Sequence, residues 1–209
     1  MTDETTETDG IDGSDTEAAF SSKRLAALSD GIFAIAMTVM ALELTSVVTS
    51  DGTVRSMWPE LWPRLVAFVM SFLILSLFWI GHQSILKDGK SGPGTRLPRA
   101  ALLQNLVFLG CIAIIPFPAA LIGTHHEDVL SFVVYGGVLT LAAISLELSW
   151  YQQRHLLPKI VGRNIKRRLS AAIASYGVST ALAFIDPVIG LAAFGISHLT
   201  FAARPMRRA

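Results

Sequence analysis

The chain has 209 residues, of which 52% are hydrophobic and only 16% charged, with a formal net charge of +1. A soluble domain usually carries about 25% charged residues, and seven of the sixteen acids here fall within the first 17 positions. What remains is too poor in charge for a water-soluble fold and specifies an all-α integral membrane protein. The net charge itself carries little information, because the charges are segregated along the chain. No nucleic-acid partner, cofactor or fixed metal is expected.

Residues 1–22 are rich in Thr, Asp, Glu, Gly and Ser with almost no large apolar side chains, which predicts a disordered acidic tail. The N-terminus has no basic stretch of the kind that opens a secretory signal, so the first apolar segment is expected to persist as a spanning helix. Six apolar segments follow, at 24–48, 62–86, 98–121, 128–152, 166–184 and 187–203. A spanning helix needs about 20 residues. Residues 23–204 therefore read as one six-helix transmembrane domain, and 205–209 as a short basic terminus. Ile185-Asp186-Pro187 separates the last two segments. Pro suits a first helical turn and Asp suits the cap before it, so a tight hairpin is predicted there.

With six crossings and a cytoplasmic N-terminus, fifteen of the seventeen Lys and Arg residues lie on the cytoplasmic side, leaving only Arg55 and Arg64 outside. This is the positive-inside pattern, and it predicts a multi-pass cell-membrane protein with both termini in the cytoplasm. Trp58 with Trp62, and Trp150 with Tyr151, fall where interfacial anchors are expected. Small residues crowd the fifth segment, from Ala171 to Ala183, which predicts close helix packing. Cys111 stands alone, so no intrachain disulfide can form. His125-His126-Glu127-Asp128 reads as a solvated loop, because adjacent histidines project differently and no second cluster accompanies them.

The first helix carries the chemistry. Successive residues turn by about 100°, so Gly31, Ile35, Thr38, Leu42 and Thr45 share one face. Asp30 lies one step round, which would point it into a neighbouring helix if that face lined a pore. An ionisable group in a spanning segment usually faces protein or a water-filled path. Two readings of the stripe stand. In one, Ile35 supplies a dry ring and Thr38 a hydroxyl ring that replaces part of an ion's water shell. In the other, Ile35 and Leu42 are packing residues and Thr38 satisfies itself on a backbone carbonyl one turn back.

Arg24-x-x-x-Leu28-Ser29-Asp30-Gly31-x-Phe33-Ala34-Ile35, continuing through Thr38 to Leu42-Glu43-Leu44, resembles the signature of the transmembrane protein 175 family. Leu28 replaces a Phe of the family's Arg-x-x-x-Phe-Ser-Asp motif. The family comprises potassium-permeable channels of lysosomes and prokaryotes. The resemblance implies a homotetramer in the lipid bilayer, each chain giving six helices and lining a central pore with its first. It implies a constriction at Ile35, a further aliphatic ring at Leu42 and a selectivity role for Thr38. It also implies a supporting hydrogen-bond network of Arg24, Ser29 and Asp30 with Trp79 and His82 of the second helix and Asn105 of the third. Trp79 and His82 are three apart and share a helix face. The second helix runs back towards the start of the first, so both can meet Ser29 or Asp30. The family has no re-entrant selectivity loop, and Tyr176-Gly177-Val178 lies inside a predicted helix.

The alternative is a proton-coupled secondary transporter using Asp30 and His82, since buried ionisable pairs serve as proton relays. No paired broken helices or internal repeat of the kind many transporters show is legible. No nucleophile–base pair, metal spacing or nucleotide loop points to an enzyme. A non-transporting scaffold is the remaining class.

Overall fold

The computed structural model describes residues 22–48, 53–88, 99–153, 159–186, 189–190 and 192–196. The predicted basic terminus at 205–209, and all of the predicted acidic tail except Ser22, lie outside them. The described residues are helical apart from short connections. In chain order the helices are α1 (Ser22–Val48), α2 (Val54–Asp88), α3 (Arg99–Ile114), α4 (Pro116–Thr124), α5 (Val129–Gln153) and α6 (Lys159–Ala183). Residues 189–190 and 192–196, within the predicted sixth segment, are also helical.

Four stretches among the described residues are long and apolar enough to cross a bilayer: Arg24–Val47, Val54–Leu86, Arg99–Thr124 and Val129–Gln152. They correspond to the first four predicted segments. The third is built from two helices. Pro116 has no N–H to continue the ladder, and the Ile115 N–H instead donates to the Ile112 carbonyl at 3.3 Å, one residue short of the α-helical register. α4 then restarts with Pro at its first turn, where a missing N–H costs nothing. α6 matches the fifth predicted segment but opens earlier, at Lys159, so its first turns hold the basic run at 163–168.

α2 begins eight residues before its predicted apolar segment and carries Pro59 and Pro63 within it. At about 1.5 Å per residue its 35 residues run roughly 50 Å, longer than a hydrocarbon core of about 30 Å. Trp58 on this extension and Trp62 at the start of the predicted segment pack with ring centroids 5.8 Å apart and planes tilted by 32°, both half-exposed. Trp150, by contrast, is only 7% exposed and belongs to the core, while its neighbour Tyr151 is exposed. Trp150 is therefore a packing residue and not an interfacial anchor.

The core runs between α1, α2, α3 and α5 and is built from large apolar side chains, among them Phe33, Ile74, Phe78, Phe108, Phe132 and Leu139. Aromatic contacts link Phe33 to Phe108 and Phe78 to both Phe108 and Tyr176. α6 packs chiefly on α5. A Cβ on Gly136 would fall 1.8 Å from the Thr180 hydroxyl, so glycine is needed for that approach. Among the described side chains of α6, those from Ser170 to Ala183 bury one side in the single chain, less than the small-residue content predicts. At its end Asp186 caps the next helical stretch, accepting the Ile189 N–H on its carboxylate at 3.3 Å. Asp128 caps α5 in the same way, through the Leu130 N–H at 2.9 Å.

Candidate functional site

α1 has two unlike faces. Leu25, Ser29, Phe33, Ala36, Met40 and Val47 are buried and recur at helical spacing. They hold α1 against α2, α3 and α4. The opposite face is open: Ile35 is 63% and Leu42 62% exposed, and Gly31, Thr38 and Thr45 are exposed beside them. α1 thus presents bulky aliphatic side chains and hydroxyls on a surface that none of the other described residues covers.

The Thr38 hydroxyl lies 3.0 Å from both the Ala34 and Ile35 carbonyls and donates to them. The bland reading of Thr38 and the pore reading are therefore compatible. A hydroxyl that donates its proton backwards along the helix turns its oxygen lone pairs outward, where they can accept or coordinate. Thr45 does the same towards the Leu42 carbonyl, at 2.7 Å.

A polar cluster joins the start of α1 to the end of α2. Asp30 accepts the Trp79 indole N–H at 2.8 Å and the Gln83 amide at 2.5 Å, both on one carboxylate oxygen. Beside it, the Ser29 hydroxyl donates to the Leu25 carbonyl at 2.8 Å and meets His82 Nε2 at 3.1 Å. With the hydroxyl proton on the Leu25 carbonyl, the arrangement that satisfies both groups has His82 donating from Nε2, and the tautomer is assigned on that basis. Ser29 and His82 are almost wholly buried. The imidazole sits among aromatics, 5.1 Å from the Phe108 ring centroid and 6.3 Å from that of Phe33. His82 Nδ1 is buried with no hydrogen-bond partner among the described residues. The carboxylate is committed to α2, a quarter-turn away from the open stripe.

Two further residues named from the sequence stand differently. Asn105 is buried on α3, one turn before Phe108, and its Nδ2 has no hydrogen-bond partner among the described residues. It shares the helix that packs Phe108 on His82, but no hydrogen bond among the described residues joins it to the cluster. Arg24 lies exposed in the first turn of α1. Gln83 escaped the sequence reading, although it stands four residues beyond Trp79 and so on the same side of α2. The ring cage of Phe33 and Phe108 has no signal in sequence beyond apolar periodicity. Elsewhere, Glu147 accepts the Ser170 hydroxyl at 3.0 Å, and His125 Nδ1 lies 2.7 Å from the Thr124 hydroxyl.

Comparison with known proteins gives a consistent result. The family model described as endosomal/lysosomal potassium channel TMEM175 matches residues 24–116. A potassium channel of Streptomyces collinus is 30% identical over 194 residues, covering 86% of this chain and 91% of its own. The rat endosomal/lysosomal proton channel TMEM175 is 26% identical over 193 residues, covering 88% of this chain but only 38% of its own length. The crystal structure of a lysosomal potassium-selective channel TMEM175 homolog from Chamaesiphon minutus superposes with a TM-score of 0.72 at 27% identity, covering 87% of this chain and 96% of that one. The match to the Streptomyces channel spans nearly the whole of both chains, and the family model covers the helices that carry both the open stripe and the polar cluster: this multi-pass membrane protein belongs to the TMEM175 family.

Proposed function

We propose that the chain is one subunit of a homotetrameric, potassium-permeable cation channel of the cell membrane, with its N- and C-termini in the cytoplasm. Four α1 helices around a central axis would enclose a pore that no single chain can form. Ile35 makes the constriction, Leu42 a second apolar ring, and Thr38 the hydroxyl ring between them that acts on selectivity. The observation that carries this reading is the exposure of Ile35, Thr38 and Leu42 on one face of α1, opposite a fully packed face. Large aliphatic groups at a narrow axis close a pore by dewetting, and hydroxyl oxygens replace part of an ion's hydration shell. The names of the prokaryotic relatives support potassium as the ion. The distribution of Lys and Arg supports the orientation.

Asp30, Ser29, Trp79, His82 and Gln83 serve this pore indirectly, by fixing the rotation of α1 against α2. Single-channel recording of purified protein in planar bilayers under opposed potassium and sodium gradients tests the proposal. Discrete cation currents that favour potassium are expected. Saturable, electroneutral flux would instead favour a proton-coupled transporter, a reading for which the specific observation is the buried Nδ1 of His82, which has no hydrogen-bond partner among the described residues.

A further inference from the structure

A second polar junction lies at the far end of α1. Arg64 projects from α2 with its side chain only 14% exposed. Its Nη2 donates to Glu60 Oε1 at 2.6 Å on the same helix, and its Nη1 donates to the Ser46 hydroxyl on α1. Ser46 in turn donates to the Glu43 carbonyl at 2.8 Å. A hydrogen-bonded chain thus runs from the guanidinium to the backbone of the last turns of α1. The third nitrogen, Nε, is buried without a partner among the described residues. Arg64 borders a small cavity lined also by Met40, Glu43, Phe68, Pro116 and Gly123. α4 closes over the stem of Arg64, because a Cβ on Gly123 would fall 3.1 Å from Arg64 Cα and 3.2 Å from its Cγ.

We propose that Arg64 is a positioning residue for the C-terminal half of α1, the half that carries Leu42. The inference rests on the pore reading above and adds a second fixed point to it. The Asp30 cluster pins one end of α1 to α2. Arg64 pins the other end to α2 beneath α4, and between the two lie the packed apolar side chains of Phe33, Ala36 and Met40. The guanidinium fork holds two acceptors at once, Glu60 and Ser46, where a lysine would hold a single point. The stem of Arg64 lies beneath α4 beside Met40 and Glu43, and its guanidinium reaches Ser46, one turn beyond Leu42. Through Ser46 it sets the placement of the Leu42 ring.

Amide hydrogen exchange on the intact protein in lipid nanodiscs tests the anchoring without requiring conduction. Arg64→Gln should speed exchange across residues 43–48 about tenfold and leave 29–33 at the wild-type rate. Arg64→Lys, which keeps the charge but not the fork, should fall between. Wild-type exchange across 43–48 in Arg64→Gln, or equal acceleration of both segments, would overturn the proposal. If Arg64→Gln does not yield monodisperse protein, Ser46→Ala carries the test. There about threefold faster exchange confined to 43–48 is expected, and no change overturns the proposal. Potassium and sodium flux into vesicles then tests the functional half. Arg64→Gln should alter potassium flux several-fold with an unchanged potassium-to-sodium ratio, and unaltered flux contradicts it. Absence of flux in the wild type would defeat the pore reading itself and leave the exchange data to decide the anchoring.

Discussion

Trp79 and Gln83 converge on one oxygen of Asp30, at 2.8 Å and 2.5 Å, from successive turns of α2. A charged group at the start of the first spanning helix is thereby committed to its neighbour and withdrawn from the open face. Charge-assisted hydrogen bonds of this kind are about twice as strong as neutral ones. On the channel proposal, their role is to fix how α1 is rotated, and so which side chains it presents.

Asp30→Asn keeps the shape but removes the charge from both bonds. It should cost about 1–2 kcal/mol, seen as a fall of a few degrees in the thermal unfolding midpoint of detergent-solubilised protein. Trp79→Phe should cost about half as much, and the double variant should be less destabilised than the sum of the two. Strict additivity would show that the indole and carboxylate are not coupled.

Ser29→Ala deletes the acceptor of a buried His82 N–H. Leaving that donor unsatisfied should cost about 1–3 kcal/mol, more than the loss of one hydroxyl at an exposed site. Adding His82→Phe should recover part of the loss, because a ring without N–H groups fits between Phe33 and Phe108 with nothing left unpaired. A double variant less stable than Ser29→Ala would contradict the assigned tautomer.

Ile35→Asn should raise resting cation flux about tenfold by wetting the narrow ring, with little effect on stability, since the side chain is 63% exposed in the single chain. Vesicle flux assays read the change directly. Unaltered flux counts against Ile35 as the constriction.

Thr38→Ala removes the hydroxyl while leaving the helix intact. Reversal potentials under a potassium–sodium gradient should move towards the value for an unselective pore, while total current stays within about threefold of wild type. An unchanged reversal potential removes Thr38 from selectivity.

Much of this architecture can be read from periodicity and charge. Steps of three and four place Gly31, Ile35, Thr38, Leu42 and Thr45 on one face of α1, and in the structure that face is the open one. The antiparallel run of α2 brings its end to the start of α1. The early start of α2 at Val54 is hidden by Pro59 and Pro63, which look like breakers although the helix runs through both. The break at Ile115 is visible only as Pro116 within an unbroken apolar run. Gln83 was overlooked because an amide near a helix end is ordinarily solvated. Its partner lies 53 residues away, a pairing that no local pattern encodes. The burial of Trp150 likewise depends on how α5 packs and not on its place in the chain.

Cysteine accessibility tests the central claim, that α1 lines the conduction path, most directly. In a Cys111→Ala background, Ile35→Cys, Thr38→Cys and Leu42→Cys are each recorded in planar bilayers before and after a membrane-impermeant cationic thiol reagent, with Leu141→Cys on the exposed face of α5 as control. Potassium current should be lost at one or more of the three α1 positions and persist at Leu141. Current that survives modification at all three, with labelling confirmed by mass, would contradict it.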